Sequence, residues 1–121
     1  MGLREALESG KFVVTAEVAP GKGTEVDHLL KDAAILKDCV DAVNVTDLQS
    51  SVMRLGSLAF SHLLTDMGID PVLQVTCRDR NRLALQSDLL SAWPLGIKNV
   101  LALTGDHPCM GDHPDARPVF A

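Results

Sequence analysis

Residues 68–76 read GIDPVLQVT, and residues 96–104 read GIKNVLALT. The two stretches share one plan: Gly-Ile opens, an apolar run rich in branched side chains follows, and threonine closes. A glycine in that place suits the C-cap of a helix handing over to the next element. The run itself reads as a short strand covered on both faces, the pattern of a parallel sheet.

Working outward, DAVNVT at 41–46 closes on threonine in the same way, and FVVTAEV at 12–18 supplies a fourth run. Taking Glu17, Thr46, Thr76 and Thr104 as equivalent strand ends gives steps of 29, 30 and 28 residues, the size of one strand plus a crossover helix. The segments between the runs carry apolar residues at helical spacing: Val26, Leu29, Leu30, Ala33 and Ala34, then Leu55, Leu58, Ala59 and Leu63, then Leu85, Leu89, Ala92 and Trp93. Thr24 with Asp27 resembles a capping box for the first of these helices, Gly68 and Gly96 fall at helix ends, and Pro94 stops the third helix.

Four βα units in this order predict an α/β fold with a parallel sheet, either doubly wound or a barrel. Even spacing, with no GxGxxG at the first turn, favours the (βα)4 half of a TIM (β/α)8 barrel. A closed barrel takes about 250 residues, so the 121 residues are expected to form one domain, 1–121, the N-terminal half of a longer protein, with RPVFA at 117–121 about to open a fourth helix. Two copies closing one barrel is the alternative.

Composition narrows the classes. The chain is 46% apolar and 22% charged, with a net charge of -5, which disfavours a sequence-independent grip on nucleic acid or on an anionic membrane. The N-terminus MGLREALESGKF lacks a signal-peptide core and no run approaches the roughly 18 apolar residues of a membrane span, so a cytoplasmic location is expected. Cys39, Cys77 and Cys109 are odd in number and widely spaced, which fits reduced thiols.

In such folds the chemistry gathers at the C-terminal ends of the strands. The residues there are Glu17; Asn44, Thr46 and Asp47; Gln74, Thr76, Cys77 and Arg78; and Thr104, Gly105, Asp106 and His107. Glu17 lies between Ala16 and Val18, where few polar neighbours would favour the protonated form and hence a general acid. Asp106 sits in a polar loop that suits an ionised carboxylate. The loop DHPCMGDHP at 106–114 holds His107, Cys109, Asp112 and His113, ligand types for a metal, but their irregular spacing reads as a long rigid loop and no metal is expected. Arg78, Arg80 and Arg82 read either as an attractor for a cofactor phosphate or acidic tail, or as a solvated helix start. GKG at 21–23 lacks the rest of a phosphate loop and reads as flexible, and His62 as a side chain on its helix flank.

AEVAP (16–20), DAVNVTD (41–47), QVTCRDRN (74–81) and GIKNVLALTGDHP (96–108) together resemble the methylenetetrahydrofolate reductase family, flavin enzymes on a (β/α)8 barrel. The resemblance covers nearly the whole chain. It implies FAD as cofactor, NAD(P)H or another reductant as electron donor, and reduction of 5,10-methylenetetrahydrofolate to 5-methyltetrahydrofolate in one-carbon and methionine metabolism. It makes Glu17 the acid that protonates the folate nitrogen and Asp106 the acid beside the flavin pyrimidine edge. It sets Thr46, Asp47, Gln49, Gln74, Thr104, Gly105 and Asp106 along the flavin. The chain departs from better-known members at Gln74, where they carry histidine, at Asp47 and Gln49, which replace an aromatic and a small residue, and at Thr104, where some carry a cation. The implied partners are a folate substrate and a second copy or an electron-donor subunit, with neither nucleic acid nor membrane. The alternative is a pterin- or corrinoid-linked methyltransferase subunit, or a folate-binding module without redox chemistry.

Overall fold

A computed structural model describes residues 2–119. Strands β1 (Thr15–Val18), β2 (Ala42–Val45), β3 (Pro71–Thr76) and β4 (Asn99–Leu103) alternate with helices α2 (Asp27–Leu36), α3 (Ser57–Asp66) and α4 (Arg82–Ala92), and a short helix α1 (Leu3–Glu8) precedes them. The four strands form one parallel sheet in the order β1-β2-β3-β4. A doubly wound sheet would reverse that order at a switch point. The unbroken order is that of half a (β/α)8 barrel, as the spacing predicts.

Alternation along each strand separates two faces. Val43 and Val45 of β2 point to the helices and pack with Val18, Ala33, Phe60, Leu64 and Ile69. Leu73 and Val75 of β3 do the same with Ala92 and Ile97. Phe60, Leu64, Val43 and Val45 are fully buried, and each such side chain contributes about 1.5–3 kcal/mol through burial. The opposite face carries Glu17 in register with Asn44, then Val72, Gln74 and Thr76, with Leu101 and Leu103 beside the last two.

Several elements differ from the sequence reading. The β1 ladder starts at Thr15, because the Val14 N–H donates to the Asp41 carboxylate rather than to a β2 carbonyl, and Phe12 is exposed. The helix predicted from Val26 has no Thr24 cap; the Asp27 N–H donates instead to Glu25 Oε1 at 2.7 Å. On α3 the buried stripe centres on Phe60 and Leu64, while Leu58 and Leu63 flank it and Ala59 is exposed. Trp93 and Leu89 are exposed on and after α4, which ends before Pro94 as expected. Gly68 and Gly96 close their helices with positive φ. The RPVFA segment has no helix at Arg117–Val119, and its last two residues lie outside the described ones.

Helix α1, absent from the sequence reading, is tied to the strand starts. Its Leu3 N–H donates to Asp70 Oδ2 at 2.7 Å, and the other Asp70 oxygen accepts from Asn99 Nδ2 at 2.9 Å. This leaves the strand ends as the open end of the half barrel. Among the described residues no helix is long and apolar enough to cross a membrane.

Candidate functional site

The strand ends enclose a cleft of about 340 Å³, within the range of small-molecule sites. Glu17, Thr46, Asp47, Gln49, Gln74, Thr104, Gly105 and Asp106 all line it, together with Leu48, Thr76, Arg78 and Leu103. These residues meet in one place because each sits at or just past the end of a parallel strand, whereas Asn44, Cys77 and His107, also read as strand-end residues, do not line this cleft.

Glu17 is exposed at the end of β1. Its carboxylate Oε2 accepts a hydrogen bond from Gln74 Nε2 at 3.2 Å. The expected apolar surrounding is thus corrected: a neighbouring amide, two strands away, faces the carboxyl. Asp106, after β4, accepts from the Ser50 N–H through Oδ2 at 2.9 Å. The two acids line the same cleft, from the first and the last strand of the sheet.

Asp47 plays a different part. It is buried, and its oxygens accept from the Thr76 N–H at 2.8 Å, from Thr76 Oγ1 at 3.0 Å and from both terminal nitrogens of Arg80 at 2.5 and 3.0 Å. A carboxylate so engaged ties the end of β2 to the end of β3. Arg80 also reaches Asp88 of α4 at 3.1 Å. Burial alone would lower the pKa of the Arg80 guanidinium; the hydrogen bonds and charge of Asp47, aided by Asp88 and Asp79, outweigh it and hold the pKa above its ordinary value.

The arginines after β3 are not a loose basic cluster. Arg78 is 1% exposed. Its Nε and Nη2 donate to Asp79 Oδ2 at 2.8 and 2.6 Å, Nη2 also to the Leu48 carbonyl at 3.3 Å, and Nη1 to the Asp106 carbonyl at 2.9 Å. Arg82 alone stands exposed, opening α4 after the Asn81 cap, whose side chain accepts from the Ala84 N–H. Arg78 lies in the bend that follows β3, two residues past Thr76, and lines the cleft.

The loop after β2 is strained and strapped. Leu48, Ser50 and Ser51 have left-handed backbones with φ of 47°, 62° and 58°, each at a cost of about 1–3 kcal/mol that the surroundings must offset. The loop after β4 supplies the restraint. The Asp112 N–H donates to the Ser51 carbonyl, Asp112 Oδ2 accepts from the Met53 N–H at 2.7 Å, and Gly111 passes so close that a Cβ there would lie 1.8 Å from the Ser51 oxygen. The Met53 N–H, and after it Lys22 at 3.6 Å, hold the Asp112 carboxyl below the usual carboxylate range. Lys22 of the GKG loop thus leans on this strap.

His107 Nδ1 accepts from the Cys109 N–H at 3.1 Å, and the described residues contain no group of three or more His, Cys, Asp or Glu side chains placed to hold a metal. The three cysteines are free thiols. His62 bridges from the flank of α3 to the Leu95 carbonyl at 3.0 Å.

A comparison with protein families matches residues 2–120 to one of them, methylenetetrahydrofolate reductase. The chain belongs to that family. A comparison with curated proteins gives no match. Methylenetetrahydrofolate reductases are oxidoreductase-like enzymes that generally bind FAD, and the cleft offers a test of whether its residues suit such a group. Thr46 Oγ1 is buried with no hydrogen-bond partner, on the wall of the cleft. A buried hydroxyl is normally satisfied, so this one suits a ligand bearing a polar edge. Gly105, with φ of 83°, keeps the wall beside it free of a side chain. Both features are compatible with a cofactor that presents a polar edge to this wall.

Proposed function

We propose that this chain builds the acid-bearing half of a barrel that reduces 5,10-methylenetetrahydrofolate to 5-methyltetrahydrofolate with FAD, taking electrons from NAD(P)H or another reductant. The observation that carries the reading is the convergence of Glu17 and Asp106 on one cleft that also holds the unpartnered hydroxyl of Thr46.

FAD, when bound, supplies the hydride. The residues of the chain supply the proton and the orientation. Glu17 donates its proton to the folate nitrogen whose protonation opens the five-membered ring to an electrophilic iminium, so the acceptor of the hydride is created only when substrate is seated. Gln74 serves both states of this acid: its amide N–H donates to the carboxylate, as at 3.2 Å here, and its carbonyl accepts from the protonated carboxyl after a flip. Asp106 remains an acceptor in its polar loop, aimed at the donor edge of the pterin or of the flavin. Thr46 and Gly105 line the flavin, Thr46 with its free hydroxyl and Gly105 with room for close approach. Gln49 and Thr104 complete that wall, and Asp47 acts by holding Thr76 and Arg80 in place.

The test is a titration of the purified protein with FAD and, separately, with a folate, followed in the visible and near-ultraviolet. The reading expects a yellow complex with a perturbed flavin band. A protein that leaves the flavin band unperturbed yet binds folate is instead a pterin- or corrinoid-linked methyltransferase subunit or a folate-binding module.

A further inference from the structure

We propose that Arg78 is a positioning residue for Asp106, a buried fork that sets the main chain of the loops after β2 and β4 and thereby aims the Asp106 carboxyl at the cleft. The inference rests on the role assigned to Asp106 above, and extends it to a residue that touches neither substrate nor cofactor through a reacting atom.

Arg78 is 1% exposed, whereas its one anionic partner, Asp79, is over a third exposed at its side chain. A cation withdrawn from water is costly unless its donors are met. Two of its four hydrogen bonds go to Asp79 and the other two to main-chain carbonyls, Leu48 from the loop after β2 and Asp106 from the loop after β4, while Arg78 itself follows β3. One planar group therefore fixes three strand ends, a task its rigid fork suits and a lysine ammonium does not.

Two further observations point to the same device. Leu48, whose carbonyl Arg78 holds, is one of the left-handed residues of the strained loop, and Ser50, two residues on, donates its N–H to Asp106. Arg78 thus grips both ends of a short circuit: Leu48 and the Asp106 carbonyl from below, closed above by the Ser50 to Asp106 bond. Gly105 makes room for it. A Cβ at that position would lie 3.0 Å from Arg78 Nη1 and 3.0 Å from Thr76 Cγ2, so a side chain before Asp106 would press on the guanidinium as well as strain the positive φ.

The experiment compares the full chain with Arg78→Lys and Arg78→Met. Amide hydrogen exchange at Ser50 reports the loop, exchange at Leu73 in the β3 core reports global opening, and the spectrum of added FAD reports the cleft. A lost charge-assisted donor predicts Ser50 exchange faster by about ten-fold or more in both variants with Leu73 protection kept, and a weaker, less perturbed FAD spectrum. If Arg78→Met opens globally, Arg78→Lys, which keeps the charge and most of the volume, decides. Ser50 exchange within about two-fold of the parent, with an unchanged FAD spectrum, overturns the proposal. Failure of the parent chain to bind FAD counts against the proposed function alone, since the Ser50 comparison is read without cofactor.

Discussion

β3 and β4 are written on nearly the same sequence plan, yet they live in different surroundings. All six residues of β3 are buried, while four of the five in β4 are exposed, among them Val100, Leu101 and Leu103 at 46, 41 and 38%. β3 pairs with strands on both sides and packs against Ala92 and Ile97, whereas β4 pairs only with β3 among the described residues. The apolar pattern thus specifies a strand, and its neighbours decide how much that pattern stabilises. The mouth shows the complement: β3 ends in a dense network of Thr76, Asp47, Arg78 and Arg80, while most of the residues after β4, Pro108 apart, are exposed and restrained chiefly through Asp106 and Asp112.

The largest expected effect separates the two strands directly. Leu73→Ala removes a fully buried side chain and is expected to destabilise by about 2–5 kcal/mol, against less than about 1 kcal/mol for Leu103→Ala, by denaturant titration. Equal losses would show that β4 is as covered as β3.

A middle-sized effect is expected at the mouth. Asp47→Asn leaves Arg80, partly buried, without its main anion and replaces a carboxylate accepting four hydrogen bonds. The expected loss is about 1–3 kcal/mol, discounted from the cost of breaking a fully buried pair because Arg80 keeps Asp88 and some solvent. Asp112→Asn, on the β4 side, is expected to cost less, and the same titration checks both.

The smallest effect is one of pH. The side-chain hydrogen bond from Lys11, and after it the Val14 N–H, lowers the pKa of Asp41; the Met53 N–H, and after it Lys22, lowers that of Asp112. A carboxylate with a depressed folded pKa adds stability that is complete above its unfolded pKa, about 3.9 for aspartate, and is lost as pH falls through the lower folded value. Stability is therefore expected to be flat in these two groups above about pH 5 and to decline below pH 4 or so, with Asp112→Asn removing part of the slope in an acid titration followed by circular dichroism.

How much of this was legible in the sequence follows from the range of each interaction. The parallel order was legible because strand-to-strand spacing near 29 residues repeats along the chain, and the site was legible because Glu17, Thr46, Thr76 and Thr104 mark strand ends. Helix α1 was not, since its six residues are too few for an apolar stripe to declare itself. Phe60 and Leu64 were passed over as the centre of α3 because Leu55, Leu58, Ala59 and Leu63 offer a competing stripe one step around the helix. The roles of Arg78 and Arg80 were hidden for a different reason. Their partners Leu48, Asp106 and Asp47 lie about 30 residues away in the chain, as |i−j| of 30, 28 and 33, and local pattern carries no record of such pairings. The amide of Gln74 meeting Glu17 across β2 is of the same kind.

The central claim is that Glu17 delivers the proton while hydride chemistry is carried by the cofactor, and the most direct measurement separates the two half-reactions in Glu17→Gln. The account predicts that bound FAD is reduced by the electron donor at about the parent rate, while reduction of methylenetetrahydrofolate by the reduced enzyme falls by about 100-fold to 10,000-fold. Loss of both half-reactions together, or of neither, would contradict it.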